Sequence, residues 1–184
     1  RLQARRMTVP EAKEALEEAM RRVATIALVH DSLSQTLDEE VEFDDMMGRA
    51  LRLTADVASA DVSVRTVQTG TFGMVPAQDA TALALILTEL VTNAVEHGLS
   101  AAGGGTVEVR AERDGAHLSV TVEDDGVGMG EGKGPSGGLG TQIVKTLVTN
   151  ELQGTIEWEP REGGGTIVAV AVVLRGVTTH EPPA

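Results

Sequence analysis

Apolar side chains recur at alternating intervals of four and three residues through Ala12, Leu16, Ala19, Val23, Ile26 and Leu33, with His30 filling one place in the series. That spacing is the seam of a coiled coil or four-helix bundle, and it predicts a helix from about Pro10 to Gln35 with Pro10 in its first turn. Such a helix reaches about 40 Å, more than a small domain can cover. It is therefore expected to pair with a helix upstream and with a second copy of the chain. His30 is read as a packing residue of the seam, since a phosphate-accepting histidine has to face outward to meet its donor. Residues 1 to 8 read as the tail of a preceding helix, and the acidic, polar stretch 36 to 42 as a linker.

After a helix predicted from about Phe43 to Ala58, the period shortens to two. Val62 to Val67 alternates as a strand does, Gly70 to Gly73 reads as a turn, and Met74-Val75 as a short extended piece. A long apolar helix follows, with Pro76 near its start and Gly98 as its expected stop. Ser100 to Gly105 reads as a loop of small residues. Val107, Val109 and Ala111, then Leu118, Val120 and Val122, alternate on either side of Asp114-Gly115, the pattern of a hairpin with one buried face. A glycine-rich stretch from Asp124 to Gly140 leads into a helix from about Leu139 to Leu152. A last hairpin, Thr155 to Trp158 and Thr166 to Leu174, turns at Gly163-Gly164-Gly165, and the tail with His180 is read as disordered. Elements in this order predict an α+β fold, a two-layer sandwich of helices on a mixed, mostly antiparallel sheet. The expected organisation is helical over 1–38, a domain over 39–176 and a tail over 177–184.

Composition narrows the functions. A formal net charge of −13 in 184 residues disfavours a nucleic-acid or anionic-membrane surface, both of which need clustered Lys and Arg. The absence of cysteine removes disulfides and thiolate chemistry and fits a reducing, cytoplasmic setting. No apolar run reads as a membrane span; Thr166 to Leu174 is the longest, and its length is that of a strand. Phe43, Phe72 and Trp158 are the only aromatic residues, too few for stacking-based RNA recognition. The first residues are Arg1-Leu2-Gln3, with no Met, and the chain is read as a piece of something longer.

Four stretches carry chemistry. Glu89, Asn93 and His97 recur every four residues along the apolar helix, a spacing that groups them on one side, and buried carboxylates and carboxamides require partners. Asp124-Asp125-Gly126-Val127-Gly128 closes a strand, where a carboxylate accepts a hydrogen bond from the amine of a base and glycines allow a flat ring to approach. Gly137-Gly138-Leu139-Gly140-Thr141 opens a helix whose unpaired N–H groups attract phosphate. Gly163-Gly164-Gly165-Thr166 returns a hydroxyl to the sheet. Each alone is an ordinary turn or cap. A dinucleotide motif over Gly132 to Gly137 fails because no strand leads into it, and a P-loop fails because Gly134 follows Lys133.

Taken in order, the four resemble the N, G1, G2 and G3 boxes of the nucleotide-binding fold shared by histidine kinases, gyrase, Hsp90 and MutL, over residues of about 43 to 175. The resemblance implies ATP as ligand with Mg2+ bound through Asn93. It gives Asp124 the adenine amine, Gly126 and Gly128 the base, and Gly138, Leu139 and Gly140 the phosphates. Thr166 supports the adenine end, Lys133 lies in a short lid over 129–137, and His97 sits at the ribose or phosphate edge. Glu89 stands where gyrase-like ATPases carry a general base. Two positions depart from the pattern: Glu96 replaces a frequent Lys or Arg, and Ser136 the first glycine of the third box.

The run Arg21-Arg22-Val23-Ala24-Thr25-Ile26-Ala27-Leu28-Val29-His30-Asp31-Ser32-Leu33-Ser34 resembles the second half of the dimerisation hairpin of HisKA_2-type histidine kinases. That resemblance implies a homodimer, upstream sensor domains, a phosphoacceptor histidine before residue 1, and a response regulator as partner. Two other readings use the same fold: an anti-sigma-factor-like serine kinase, and a non-catalytic dimerisation module gated by nucleotide.

Overall fold

Alternation builds the sheet. β4 (Gly104–Asp114) buries Val107, Val109 and Ala111, and β5 (His117–Asp124) buries Leu118, Val120 and Val122, all toward one face as a period of two requires. A computed structural model describes residues 16, 19, 20, 22–27, 40–58 (53–58 as backbone only), 63–128 and 138–176. β7 (Thr166–Val173) pairs antiparallel with β5, and β6 (Thr155–Pro160) antiparallel with β7. β2 (Ser63–Gly70) lies parallel to β4, which makes the sheet mixed, in the order β2-β4-β5-β7-β6.

Helices cover the face that carries the valines. α1 (Phe43–Ala58) contributes Phe43, Met46, Met47 and Leu51 to the core; the Phe43 ring stands 5.1 Å from that of Phe72. α2 (Ala77–Asn93) runs through the middle of the domain and continues through wider π-type turns at Ala94–Leu99 into a last turn, Ser100–Ala102. α3 (Leu139–Thr146), extended by a π-type turn at Leu147–Glu151, adds Val144 and Val148. This is the α+β two-layer sandwich expected.

Several local expectations are corrected. Gly98 does not stop the helix. The chain passes through it and ends at Gly103, whose φ of 79° is the left-handed geometry of a C-terminal cap. Gly98 is small for another reason: a Cβ there would lie 2.6 Å from Oδ1 of Asp124. Ser100 to Gly105 is no loop, since it completes the helix and then starts β4, with Gly104 and Gly105 paired to Ser63 and Val64. The end of the expected linker is a strand, β1 (Glu40–Glu42), antiparallel to β3 (Met74–Pro76) with Val41 opposite Val75. Finally, Ala77–Ala102 is 26 residues long and its most apolar 18-residue window has a mean hydropathy of 1.2, enough by length and composition to cross a membrane. It meets that test as the core helix, with 78% of its most apolar window buried. Expectations for residues 1–15, His30, 36–39, the lid at 129–137 and the tail with His180 fall outside the described residues.

Candidate functional site

The carboxyl end of β5 meets the end of the core helix. Because Gly98 and Gly126 lack side chains, the two backbones touch: Val127 N–H donates to the Gly98 carbonyl at 3.1 Å, and a Cβ on Gly126 would fall 2.3 Å from the carbonyl carbon of Gly98. Asp124 is thereby enclosed at 4% exposure. Its Oδ1 accepts from Gly126 N–H at 2.9 Å, and the carboxylate also accepts from the N–H and hydroxyl of Thr166. Burial pushes the Asp124 carboxyl above the usual range; the Gly126 and Thr166 bonds oppose that shift, and the neighbouring charge of Asp125 adds to it. Asp125 is exposed and serves the turn, accepting from Thr106 N–H at 2.7 Å.

Asp124 lies in the wall of an open cleft. Leu90, Asn93, Ala94, His97 and Gly98 line it from the core helix, Val122 and Gly128 from β5 and its exit, and Trp158, Thr166, Val168 and Thr141 from β6, β7 and α3. Asn93 is half-buried and His97 exposed. Neither side chain bonds to another described residue, so a carboxamide and an imidazole are presented to whatever enters.

The structure thus brings together Asn93, His97, Asp124, Gly128 and Thr166 from the sequence-derived set. Gly126 lies just behind, holding Asp124. Glu89 is not in the lining. Each four-residue step on an α-helix advances about 40° around the axis, and from Asn93 back to Glu89 that rotation carries the side chain out of the cleft. There Glu89, 6% exposed, accepts from Arg22 Nε at 2.8 Å and Nη2 at 3.3 Å. Gly138, Leu139 and Gly140 open α3 with no side-chain cap on its first N–H groups, and Thr141 is the first α3 residue in the lining. Lys133 lies outside the described residues. Leu90, Ala94, Val122, Trp158 and Val168 are given no site role by the sequence, and Thr141 is named there only as the end of its glycine-rich motif. For Val122 and Val168 the signal was present, as the inward-facing positions next to Asp124 and Thr166.

The arrangement is a helix end pressed on a mixed sheet, with a buried Asp at the junction and an uncapped second helix beside it. Residues 78–176 match the family model described as histidine kinase-, DNA gyrase B-, and HSP90-like ATPase, and residues 1–58 match a model described as histidine kinase. The chain belongs to this ATPase family. It is 47% identical over 177 residues to the sensor histidine kinase PdtaS of Mycolicibacterium smegmatis, covering 95% of this chain and 36% of that protein. It is 46% identical over 175 residues to PdtaS of Mycobacterium tuberculosis H37Rv, covering 94% and 35%. The chain spans little more than a third of the length of these curated relatives. Its structure superposes on the histidine kinase domain of the blue-light activated histidine kinase of Erythrobacter litoralis with a TM-score of 0.74 at 30% identity, covering 85% of this chain and 75% of that one. Family and fold are those the motifs implied.

Proposed function

We propose that the chain is the ATP-binding catalytic core of a cytoplasmic two-component sensor histidine kinase. The observation that carries this reading is the enclosed Asp124 carboxylate, fixed by Gly126 and Thr166 at the side of a cleft into which Asn93 and His97 project without partners. A fixed carboxylate accepts the exocyclic amine of adenine, and the apolar faces of Leu90, Val122 and Val168 take the ring. Asn93 would hold Mg2+, which neutralises charge on the phosphates. The unpaired N–H groups at the start of α3 attract the phosphate end, together with Lys133 and the lid that contains it.

Transfer then rests on positioning and charge neutralisation. The γ-phosphate passes to a histidine upstream of residue 1 and onward to an aspartate on a response regulator. The protein is a homodimer through its helical hairpin, with sensor domains ahead of it. Glu89 is the residue to orient the nucleophile, and to do so it has to leave Arg22.

Calorimetric titration with Mg-ADP tests the site. Asp124→Ala is expected to bind about 10- to 100-fold more weakly, the loss of one charge-assisted hydrogen bond. The 184-residue chain is expected to bind ATP without labelling itself from γ-labelled ATP, and stoichiometric label on His30 would overturn the assignment of the acceptor.

A further inference from the structure

We infer that Trp158 is the purine wall of the cleft, the side chain that sets how tightly a flat base is held once its amine is at Asp124. The inference rests on reading the cleft as an adenine-nucleotide site.

The sheet register puts the indole there. Val109 opposes Val122, Val122 opposes Val168, and Val168 opposes Trp158. The inward-facing row immediately behind Asp124 is therefore three valines ending in one large ring. Asp124 and Trp158 stand on strands separated by β7, two strand spacings or about 10 Å apart, yet their side chains line one cleft. The space between them is what a planar ring fills. Val122 and Val168 form its apolar floor, and the indole, the largest ring among the lining residues, stands at its far end.

A second contact braces that ring. Among the described residues β6 is an edge strand, with β7 as its one neighbour in the sheet, so a side chain on it has no further described strand to lean on. Lys145, one helical turn beyond the cleft-lining Thr141, places Nζ 5.0 Å from the centroid of the Trp158 ring. That is a cation–π geometry. The indole is thereby held between α3 and the sheet, its position set before a ligand arrives, which lowers the ordering cost of binding. α3 is also the helix whose first turn faces the phosphates, so the base end and the phosphate end of the cleft are tied through one element.

Trp158 also packs against the edge of the hydrophobic core, and the test has to separate that role from ligand contact. It is the only tryptophan in the chain, so its emission reports on this position alone. With the whole chain, Mg-ADP is titrated against wild type, Trp158→Phe, Trp158→Leu and Asp124→Ala by calorimetry, and against wild type by tryptophan emission. Trp158→Leu keeps apolar bulk and removes the π-face; it is expected to weaken ADP about tenfold. Trp158→Phe is expected to stay within about threefold of wild type, and wild-type emission to change saturably at the calorimetric midpoint. If wild type binds ADP and Asp124→Ala does not, while Trp158→Leu binds as wild type and emission is unmoved, Trp158 is a core-edge residue and the inference is overturned. If wild type itself fails to bind ADP, the nucleotide reading of the cleft falls and takes this one with it.

Discussion

A carboxylate enclosed to the degree of Asp124 is costly in its charged form, and the same burial that makes it a sharp acceptor also raises its pKa. For a group whose folded pKa is raised, the associated stability is fully present below the unfolded value and is lost as pH rises through the folded one. At neutral pH the ionised Asp124 is therefore a burden on the fold, tolerated at the site where charge is useful. Holding an amine reverses the preference, because the ionised form is the better acceptor. The ratio of wild-type to Asp124→Asn affinity for ADP, which cancels titration of the nucleotide's own phosphates, is expected to fall by up to about tenfold per pH unit on acidification. The fall should begin above the ordinary Asp range of about 4. A ratio that is flat from neutrality down to pH 4 would remove the ionised carboxylate from base recognition. Asp124 was legible in the sequence because alternation through Leu118, Val120 and Val122 puts it, and not Asp125, on the inward face. Trp158 sits on the same kind of inward position, but two strands away, and no local pattern says which residues of distant strands share a cleft.

At the scale of elements, the core helix shows which signals sequence carries and which it does not. Its apolar length and start were legible, since Pro76 stands immediately before the helix, at its N-cap, and Ala77 onward is a run of helix formers. Its end was not. Gly98 and Gly103 are both plausible stops, and the choice depends on Asp124, which approaches Gly98 too closely for a Cβ. β1 was likewise missed, because three residues are too short to display a period. Asp79, in the first turn of α2, was passed over although it is 1% exposed. It accepts from the backbone N–H of Arg175 at 2.7 Å and from Arg175 Nε at 2.5 Å, joining the start of the core helix to the turn just after the last strand across 96 residues of chain. A negative side chain there also complements the helix dipole. Asp79→Ala is expected to cost on the order of 2 kcal/mol, read as a lower denaturation midpoint by circular dichroism. ADP affinity of the folded variant should change less than about twofold, because Asp79 lies about 20 Å along the helix from Asn93. A variant that melts as wild type does would leave the Arg175 contact as surface decoration.

At the scale of the whole molecule, the described N-terminal helical residues have two faces with different fates. Leu16, Met20, Val23 and Ile26 are 45% to 66% exposed, and Leu16, Val23 and Ile26 belong to the seam expected to pair with other helices. That seam was legible because its spacing repeats. Arg22 and Thr25, one turn apart, turn the other way and are partly or fully covered, and this contact was not legible, since an ion pair across 67 residues leaves no periodic trace. The helix thus meets the ATP-binding domain through a charged contact and keeps its apolar side outward, an arrangement suited to a joint that opens. The joint falls on Glu89, whose side chain is 7% exposed against 20% for that of Arg22. Arg22→Ala strands a buried carboxylate, and the expected cost is about 2 kcal/mol, below that of a fully enclosed pair because Arg22 remains partly hydrated. The loss should be local: amide hydrogen exchange should quicken across residues 22–27 while the strands flanking Asp124 keep their protection. Glu89→Ala removes both the pair and the stranded charge, so it should loosen the same amides with a smaller loss of stability. If Arg22→Ala leaves exchange at 22–27 unchanged, the helix is held by contacts other than this pair, and Glu89 is not what fastens it to the domain.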